Sequence, residues 1–419
     1  MNRSVELVST GSELLNGRTV NRHAQTLGER LRPLGLALRR DTTVPDDADL
    51  IREAVESALR RAEVVVVTGG LGPTCDDVTR DAVARLLGRR VVVDSASLES
   101  LRERLRRAGR AVSPQAELQA QIVEGAVALP NRVGVAPGER LDLDGRTLFI
   151  LPGPPDEFDA VLQEHVLPWL RHQVGDAGIP QERIFMVCGP GESDIMRRLD
   201  QAGFRPEAIE VGYSATAGRV EVRLSAPASR AGDLEASAAV VHAALGADVF
   251  AEERLDMEEV IGRLLSARAA TLAVTESCSG GLLAHRITAV SGSSRYFLGG
   301  VVAYSNEAKQ RLLGVSAESL GRWGAVSEAV AQEMALGVCR AFDAAFGLSV
   351  TGIAGPTGGT PEKPVGLVFV GLADAGGVLV RRHRFGGNRG RIKEWSSQAA
   401  MDLLRRRLSG LLGEPDASG

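Results

Sequence analysis

The sequence predicts an α/β protein in three parts, two α/β domains with a small α+β module between them. Three observations carry that expectation. Residues 1–170 alternate short apolar runs with amphipathic helical stretches, the βαβ pattern of a parallel sheet covered by helices. Residues 171–253 follow a β-α-β-β-α-β order, that of a ferredoxin- or KH-like split βαβ module. From 254 to 415 the strand–helix alternation resumes. A chain of 419 residues is also too long for a single hydrophobic core.

The elements follow in order. In the first domain "VELVST" reads as a strand, "NRHAQTLGERLRPLG" as a helix ending at Gly35, and "LALRRDTTV" as a second strand. The helix "DADLIREAVESALRRA" precedes "EVVVVTGG", whose unbroken apolar run suits a parallel strand buried on both faces. A helix is expected to start near Asp77, and "TLFILPGPPDEF" gives a late strand followed by a loop. The polar, Gly- and Pro-bearing "RHQVGDAGIPQE" marks a boundary. The middle module then runs through strand "RIFMVCG", helix "ESDIMRRLDQAG", the alternating hairpin "IEVGYSATAGRVEVRLSAP", helix "AGDLEASAAVVHAALG" and short strand "DVFA".

In the last domain a helix leads into the strand "TLAVTES". Helix "GLLAHRITAV", strand "YFLGGVVAYS", helices "NEAKQRLLG" and "SEAVAQEMALGVCRAF" and strand "FGLSVTGIAG" follow. Strands "GLVFVGLAD" and "GVLVRRHRF" and a closing helix complete it, and "GEPDASG" reads as a frayed tail.

Composition narrows the function. A net charge of −4 and no basic–aromatic stripe argue against direct nucleic-acid binding. No apolar run reaches the roughly 18 residues that span a bilayer, and "MNRSVELVSTG" lacks the pattern of a signal peptide. Four scattered cysteines without a CxxC pair fit a reducing compartment, so a cytoplasmic protein is expected. Only Lys309, Lys363 and Lys393 are lysines among 49 basic residues. In a chain that uses arginine for plain positive charge, a lysine hints at a place where arginine would not serve, since arginine cannot lose its proton; chance placement is the alternative.

Two stretches carry chemistry. In "VVVVTGGLGPTCDDVTRDAV" a buried strand runs into a Gly-rich loop (Gly69, Gly70, Gly72, Thr74) whose backbone amides suit phosphate. Asp76 and Asp77, with Asp81 one turn on, would hold Mg²⁺ beside a diphosphate. The plainer alternative is that Asp77 caps the helix. Gly11, Glu13 and Glu157 lie at or just beyond predicted strand ends and are further candidates for this nucleotide and metal site.

The second stretch, "TESCSGG", offers Ser277, Cys278 and Ser279. A cysteine nucleophile normally needs a histidine, and His285 lies two helical turns, about 10 Å, further on. Cys278 is therefore expected to be a small buried hydrophobe. Lys309, on the helix after the next strand, can act as the neutral base for a serine.

The motifs "TGSELLNGRTVNRHAQTLGERL", "VTGGLGPTCDDVTRDAV", "PNRVGVAPG" and "LPGPPDEF" resemble the N-terminal, molybdopterin-binding-like domain of the CinA family. "TESCSGGLLAHRIT", "GGVVAYSNEAKQRLLGV" and "VTGIAGPTGGTPEKPVGLVFVGLA" resemble the C-terminal amidase domain of the same family. The resemblance implies a three-layer N-terminal domain that hydrolyses ADP-ribose with a divalent metal, Mg²⁺ or similar, with K⁺ as companion. The likeness to molybdopterin-binding domains adds Asp46 to that site as a second acidic residue. It implies a metal-free C-terminal domain that deamidates nicotinamide mononucleotide, and a homodimer. Its catalytic serine falls at Ser277, its lysine at Lys309 and a helper tyrosine at Tyr304, whose rival reading is a core residue. Ser279, Gly280, Gly281, Thr351, Gly352, Gly355, Arg389 and Lys393 become the expected substrate contacts. Ser279 is alternatively a helix cap, and the amides at Gly280 and Gly281 are expected to face the oxyanion or phosphate. His23 stands where the family more often has asparagine. The competing class is a non-catalytic competence or DNA-repair accessory protein with a pterin- or nucleotide-binding module.

Overall fold

Four parallel strands form the centre of the N-terminal sheet in the computed structural model. It describes residues 4–107, 109, 111, 113–175, 179–207, 209–216 and 218–412. The tail expected at 413–419 and part of the expected boundary, 176–178, lie outside these residues. The chain divides into two compact units, 1–181 with 227–229, and 182–226 with 230–419.

In the first unit strand Val5–Thr10 lies between Leu38–Val44 and Val64–Thr68, all parallel, and Arg146–Leu151 extends the sheet in parallel on the far side of Val64–Thr68. Gly138–Leu143 and Val127–Leu129 close one edge in antiparallel fashion. Val64–Val67 are fully buried, as an unbroken valine run between two helical layers requires. Each such side chain contributes about 1.5–3 kcal/mol by leaving water. Helix His23–Leu31 covers one face, and helices Ala48–Arg61 and Thr79–Leu87 the other. Helix Ala48–Arg61 starts at Asp47, whose carboxylate accepts the amides of Asp49 and Leu50.

Two expectations need correction here. The helix after the Gly-rich loop begins at Thr79 with Val78 as its cap residue, so Asp77 stands outside it. The Asp77 carboxylate turns back instead and accepts the amide and hydroxyl of Thr74. The loop expected after Leu151 is short, 152–154, and "PDEF", expected within it, opens the helix Pro155–Val161.

In the second unit the middle module has strand order 210–216, 219–226, 181–188, 249–251, as a split βαβ predicts. It has its own core, yet Met186, Cys188 and Phe250 join the core of the C-terminal domain. Arg406 ties the two by donating to both Asp248 and Asp402. The C-terminal sheet runs 297–302, 272–276, 346–352, 367–374, 377–384, the first three strands parallel and the last two antiparallel. A helix at Ala317–Trp323, unexpected from the sequence, starts on the side chain of Ser316.

Candidate functional sites

Ser277 sits where the central strand Leu272–Glu276 ends, and its amide donates to the Val350 carbonyl of the neighbouring strand at 2.8 Å. The carboxyl edge of a parallel sheet is where open α/β folds gather ligands. Strand Phe297–Val302 and helix Asn306–Leu313, capped by the Ser305 hydroxyl, bring Lys309 to the same edge. The Lys309 Nζ lies 3.1 Å from the Ser277 Oγ and donates to the Ala303 carbonyl at 2.7 Å. The lysine is 1% exposed and the serine 9%. Burial pushes the Lys309 amine below the ordinary lysine range, because a charged ammonium loses its hydration there. The expected serine–lysine pair is therefore in contact, with the lysine biased toward the form that accepts a proton.

The turn after Ser277 departs from expectation. Glu276, itself buried, accepts the amides of Gly281 at 3.0 Å, Leu283 at 3.1 Å and Ala284 at 2.9 Å. The Gly280 amide goes to the Ser277 carbonyl. The amides expected to meet an oxyanion or phosphate at Gly280 and Gly281 are thus already used, and a protein carboxylate occupies the positive helix end. Ser279 is not the cap either, since the helix Leu282–Ala289 takes Gly281 as its cap residue. The Ser279 hydroxyl is fully buried and has no partner among the described residues, so it is the polar group of the turn whose hydrogen bonding the fold leaves unmet. Cys278 is buried, its thiol pushed up to about 11 by desolvation, which suits a packing residue rather than a thiolate nucleophile.

The remaining expected contacts divide. Tyr304 is 61% exposed, so it is not a core residue, and its hydroxyl accepts from Arg389 at 2.8 Å. Arg389 also donates to the Gly355 carbonyl at 2.8 Å. A Cβ at Gly280 would come 3.6 Å from the Lys393 Nζ, so that cation borders the turn. Thr351 is excluded as a side-chain contact, because its hydroxyl is buried and donates to the Ala325 carbonyl. Gly352 serves close packing, since a side chain there would strike the Leu367 carbonyl and Val368. Lys363 is structural, its Nζ donating to the carbonyls of Trp323 and Val326.

All the N-terminal candidates but Thr74 and Asp81 line a cleft of about 690 Å³ at the corresponding edge of the first sheet. Its lining includes Gly11, Glu13, Asp46, Gly69, Gly70 and Gly72 with Asp76 and Asp77. Glu13 sits on a one-turn helix, Ser12–Leu15, and Asp46 accepts the Ser12 amide at 2.8 Å. Gly69 and Gly70 have φ of 103° and 63°, and a Cβ would run into the Thr10 carbonyl at the first and the Thr79 hydroxyl at the second. His23 lies in this cleft with Nε2 2.8 Å from the Gly153 carbonyl, and burial pushes its imidazole pKa down.

The four-carboxylate metal set is not brought together. Among the described residues no three His, Cys, Asp or Glu side chains converge as a metal site. Asp81 is exposed on the helix and does not line the cleft, nor does Thr74. Glu157 accepts from Asn131 Nδ2 at 2.7 Å. Asp76 and Asp77 remain, few enough that a divalent ion there would need the oxygens of a bound phosphate to complete its shell.

A buried serine–lysine pair on one α/β domain and a glycine-walled acidic cleft on another define a multidomain α/β protein with two separate candidate sites. Family models match all three parts. These are the Probable molybdopterin binding domain at residues 6–172, the Damage-inducible protein CinA KH domain at 182–251 and the CinA C-terminal domain at 254–408. A CinA-like protein of Salinibacter ruber is 42% identical over 409 residues, covering 96% of this chain and 99% of the relative. A second, from Kosmotoga olearia, is 37% identical over 411 residues, covering 97% and 99%. A solved CinA structure from Thermoplasma acidophilum, 36% identical, covers 39% of this chain and 95% of its own, with a TM-score of 0.36. The chain belongs to the CinA family. No described helix is long and apolar enough to cross a membrane.

Proposed function

We propose that the C-terminal domain hydrolyses the carboxamide of nicotinamide mononucleotide to nicotinate mononucleotide and ammonia. The observation that carries this reading is the buried Lys309 amine 3.1 Å from the Ser277 hydroxyl. A serine hydroxyl is a poor nucleophile until a base takes its proton, and a desolvated amine is such a base. The Ser277 Oγ attacks the carboxamide carbon while Lys309 takes the hydroxyl proton. Lys309 then returns that proton to the departing nitrogen, the C–N bond breaks, and ammonia leaves an ester on Ser277. Water, deprotonated by the same lysine, attacks the ester and restores the serine. The Ser279 hydroxyl is the group we assign to the oxyanion, with Arg389 and Lys393 on the substrate phosphate and Tyr304 orienting Arg389. Purified protein should release ammonia from nicotinamide mononucleotide in step with nicotinate mononucleotide on chromatography. Release that survives Ser277→Ala would end this assignment.

For the N-terminal cleft we propose cleavage of the ADP-ribose diphosphate, supported by the glycines and by Asp76 and Asp77 in its lining. A divalent ion would neutralise phosphate charge there. The chain's own part is to cradle the diphosphate on the loop from Gly69 to Gly72 and to hold the ribose side near Glu13 and Asp46. AMP formed from ADP-ribose, lost on chelation, is the expected readout. A chain that makes neither product would instead favour the non-catalytic binding role.

A further inference from the structure

A cavity of about 400 Å³ in the C-terminal unit is lined by none of the residues assigned to the Ser277–Lys309 site. It lies where the middle module meets the closing helix Arg389–Leu408. One wall is aromatic. His383 and Phe385 stack with ring centroids 5.2 Å apart and planes at 13°, and Trp395 follows 5.8 Å from Phe385 at 31°. Burial, with Arg381 beside it, pushes the His383 pKa down, so this ring behaves as a neutral stacking surface. The floor is buried Gln398, which donates to the Cys188 Sγ at 3.7 Å and accepts from Arg286 at 2.7 Å. The Cys188 thiol is pushed up to about 12 by desolvation and stays protonated, so the cavity offers no nucleophile.

The charges in the lining are unequal. Arg406 is satisfied by Asp402 and Asp248, and Asp402 also accepts from Arg405. Arg381 has neither an ion pair nor a side-chain hydrogen bond among the described residues, and it lines the same cavity. A stacking wall with one uncommitted guanidinium is a recognition pattern for a flat ring that carries an anion. The volume falls near the lower end of the roughly 300–1,000 Å³ typical of small-ligand sites.

We propose that this cavity is a binding site for a nucleoside monophosphate, its base on the Phe385–Trp395 wall and its phosphate on Arg381. It is distinct from both sites described above and needs neither reading of them. The test uses AMP as probe on the full chain carrying Trp169→Phe and Trp323→Phe, which leaves Trp395 as the sole tryptophan. Excitation at the red edge of the indole band, beyond adenine absorption, should show saturable quenching. Arg381→Ala should weaken that binding about tenfold, as loss of one charge-assisted contact implies. Lys393→Ala should leave the curve in place, and adenosine should bind the parent as weakly as AMP binds Arg381→Ala. Because Trp169 packs on Phe149, calorimetric titration of the chain with all tryptophans intact is the second measurement. There Arg381→Ala should weaken one AMP-binding step by the same factor, about tenfold. No saturable quenching, calorimetric affinities that Arg381→Ala leaves unchanged, or a curve that shifts with Lys393→Ala but not Arg381→Ala would overturn the proposal.

Discussion

The two candidate sites stand at equivalent places, the carboxyl edges of parallel strands, but they are built in opposite ways. Around Ser277 the protein has spent its own groups: Lys309 is buried against the serine, and Glu276 has claimed the helix amides. The N-terminal cleft is wide, its carboxylates are dispersed, and no three of them converge among the described residues. The difference follows from the chemistry we assign to each. A lysine base needs its pKa lowered before substrate arrives, and at Lys309 burial by the fold does that. A diphosphate brings its own oxygens to a cation, so one or two protein carboxylates suffice.

The contrast breaks most sharply at the dyad. Ser277→Ala should lower amide hydrolysis on the order of 10⁴-fold or more, as removal of a nucleophile does elsewhere. Lys309→Arg should be nearly as inactive as Lys309→Ala, since a guanidinium cannot accept the serine proton. More than a tenth of the parent rate in Lys309→Arg, read from ammonia release, would remove the general-base role. The pH dependence has a definite sign. Activity should rise with pH along one limb whose midpoint lies below about 10.4, the ordinary lysine value. Stability follows the same group. The folded chain holds fewer protons on Lys309 than the unfolded chain between the two pKa values, so stability should climb with pH through that interval. Below the folded pKa the buried charge is a constant cost, and Lys309→Met should raise the melting temperature there.

The next effect belongs to the cleft. Asp77→Asn should reduce AMP formation from ADP-ribose about 100-fold, the lower range for losing a charged group that acts on the reacting phosphates. The Asp77 carboxylate also holds the Gly-rich loop through Thr74, so Thr74→Val separates the two roles. If Thr74→Val loses as much activity as Asp77→Asn, the aspartate works by shaping the loop, and its place beside the metal falls.

How far the sequence revealed these sites depended on the local physics of each residue. Lys309 stood out because the chain is so poor in lysine, and the alternation of strand and helix carried it to the edge where Ser277 sits. The same lysine argument fails at Lys363, whose ammonium donates to the carbonyls of Trp323 and Val326, a use that arginine's rigid fork meets less easily. Glu276 escaped notice because it closes an apolar run and reads as the last residue of a strand. Only the turn of Gly280 and Gly281, with φ of 63° and 95°, folds the helix start back over its carboxylate. A carboxylate five to eight residues before a helix's first amides, across a pair of glycines, is the signal that would have found it. The strands at 91–93, 121–123 and 127–129 stayed unread because each is three residues long, too short for any period to register.

A third prediction tests whether Glu276 is what distinguishes the dry site. Glu276→Gln replaces an acceptor of three amides by a group with one oxygen and one NH₂, so at least one amide must face a donor. The variant should lose about 1–3 kcal/mol of stability in denaturant titration. It should also lose about tenfold in kcat with KM little changed, because Ser277 is displaced from Lys309 while the substrate cations stay. An unchanged kcat would leave Glu276 as a helix cap and nothing more.

The smallest expected effect is at Asp81, and it bears on how the cleft handles its cation. Read as helix, the stretch from Asp77 puts Asp81 one turn on and on the same face, which is why it joined the expected ligands. The helix in fact starts at Thr79, so Asp77 lies outside it and the one-turn relation does not hold. Asp81 then projects from the first turn of an exposed helix face, where its charge favours the helix start by about 0.3–1 kcal/mol. Asp81→Ala should therefore cost only that much stability and change AMP formation and its dependence on metal concentration less than about twofold, which corresponds to under ~0.5 kcal/mol. A shift of tenfold or more in the metal concentration giving half-maximal activity would mean that Asp81 reaches the ion, and that the cleft closes on its ligand into a set of carboxylates as tightly assembled as the Ser277 site.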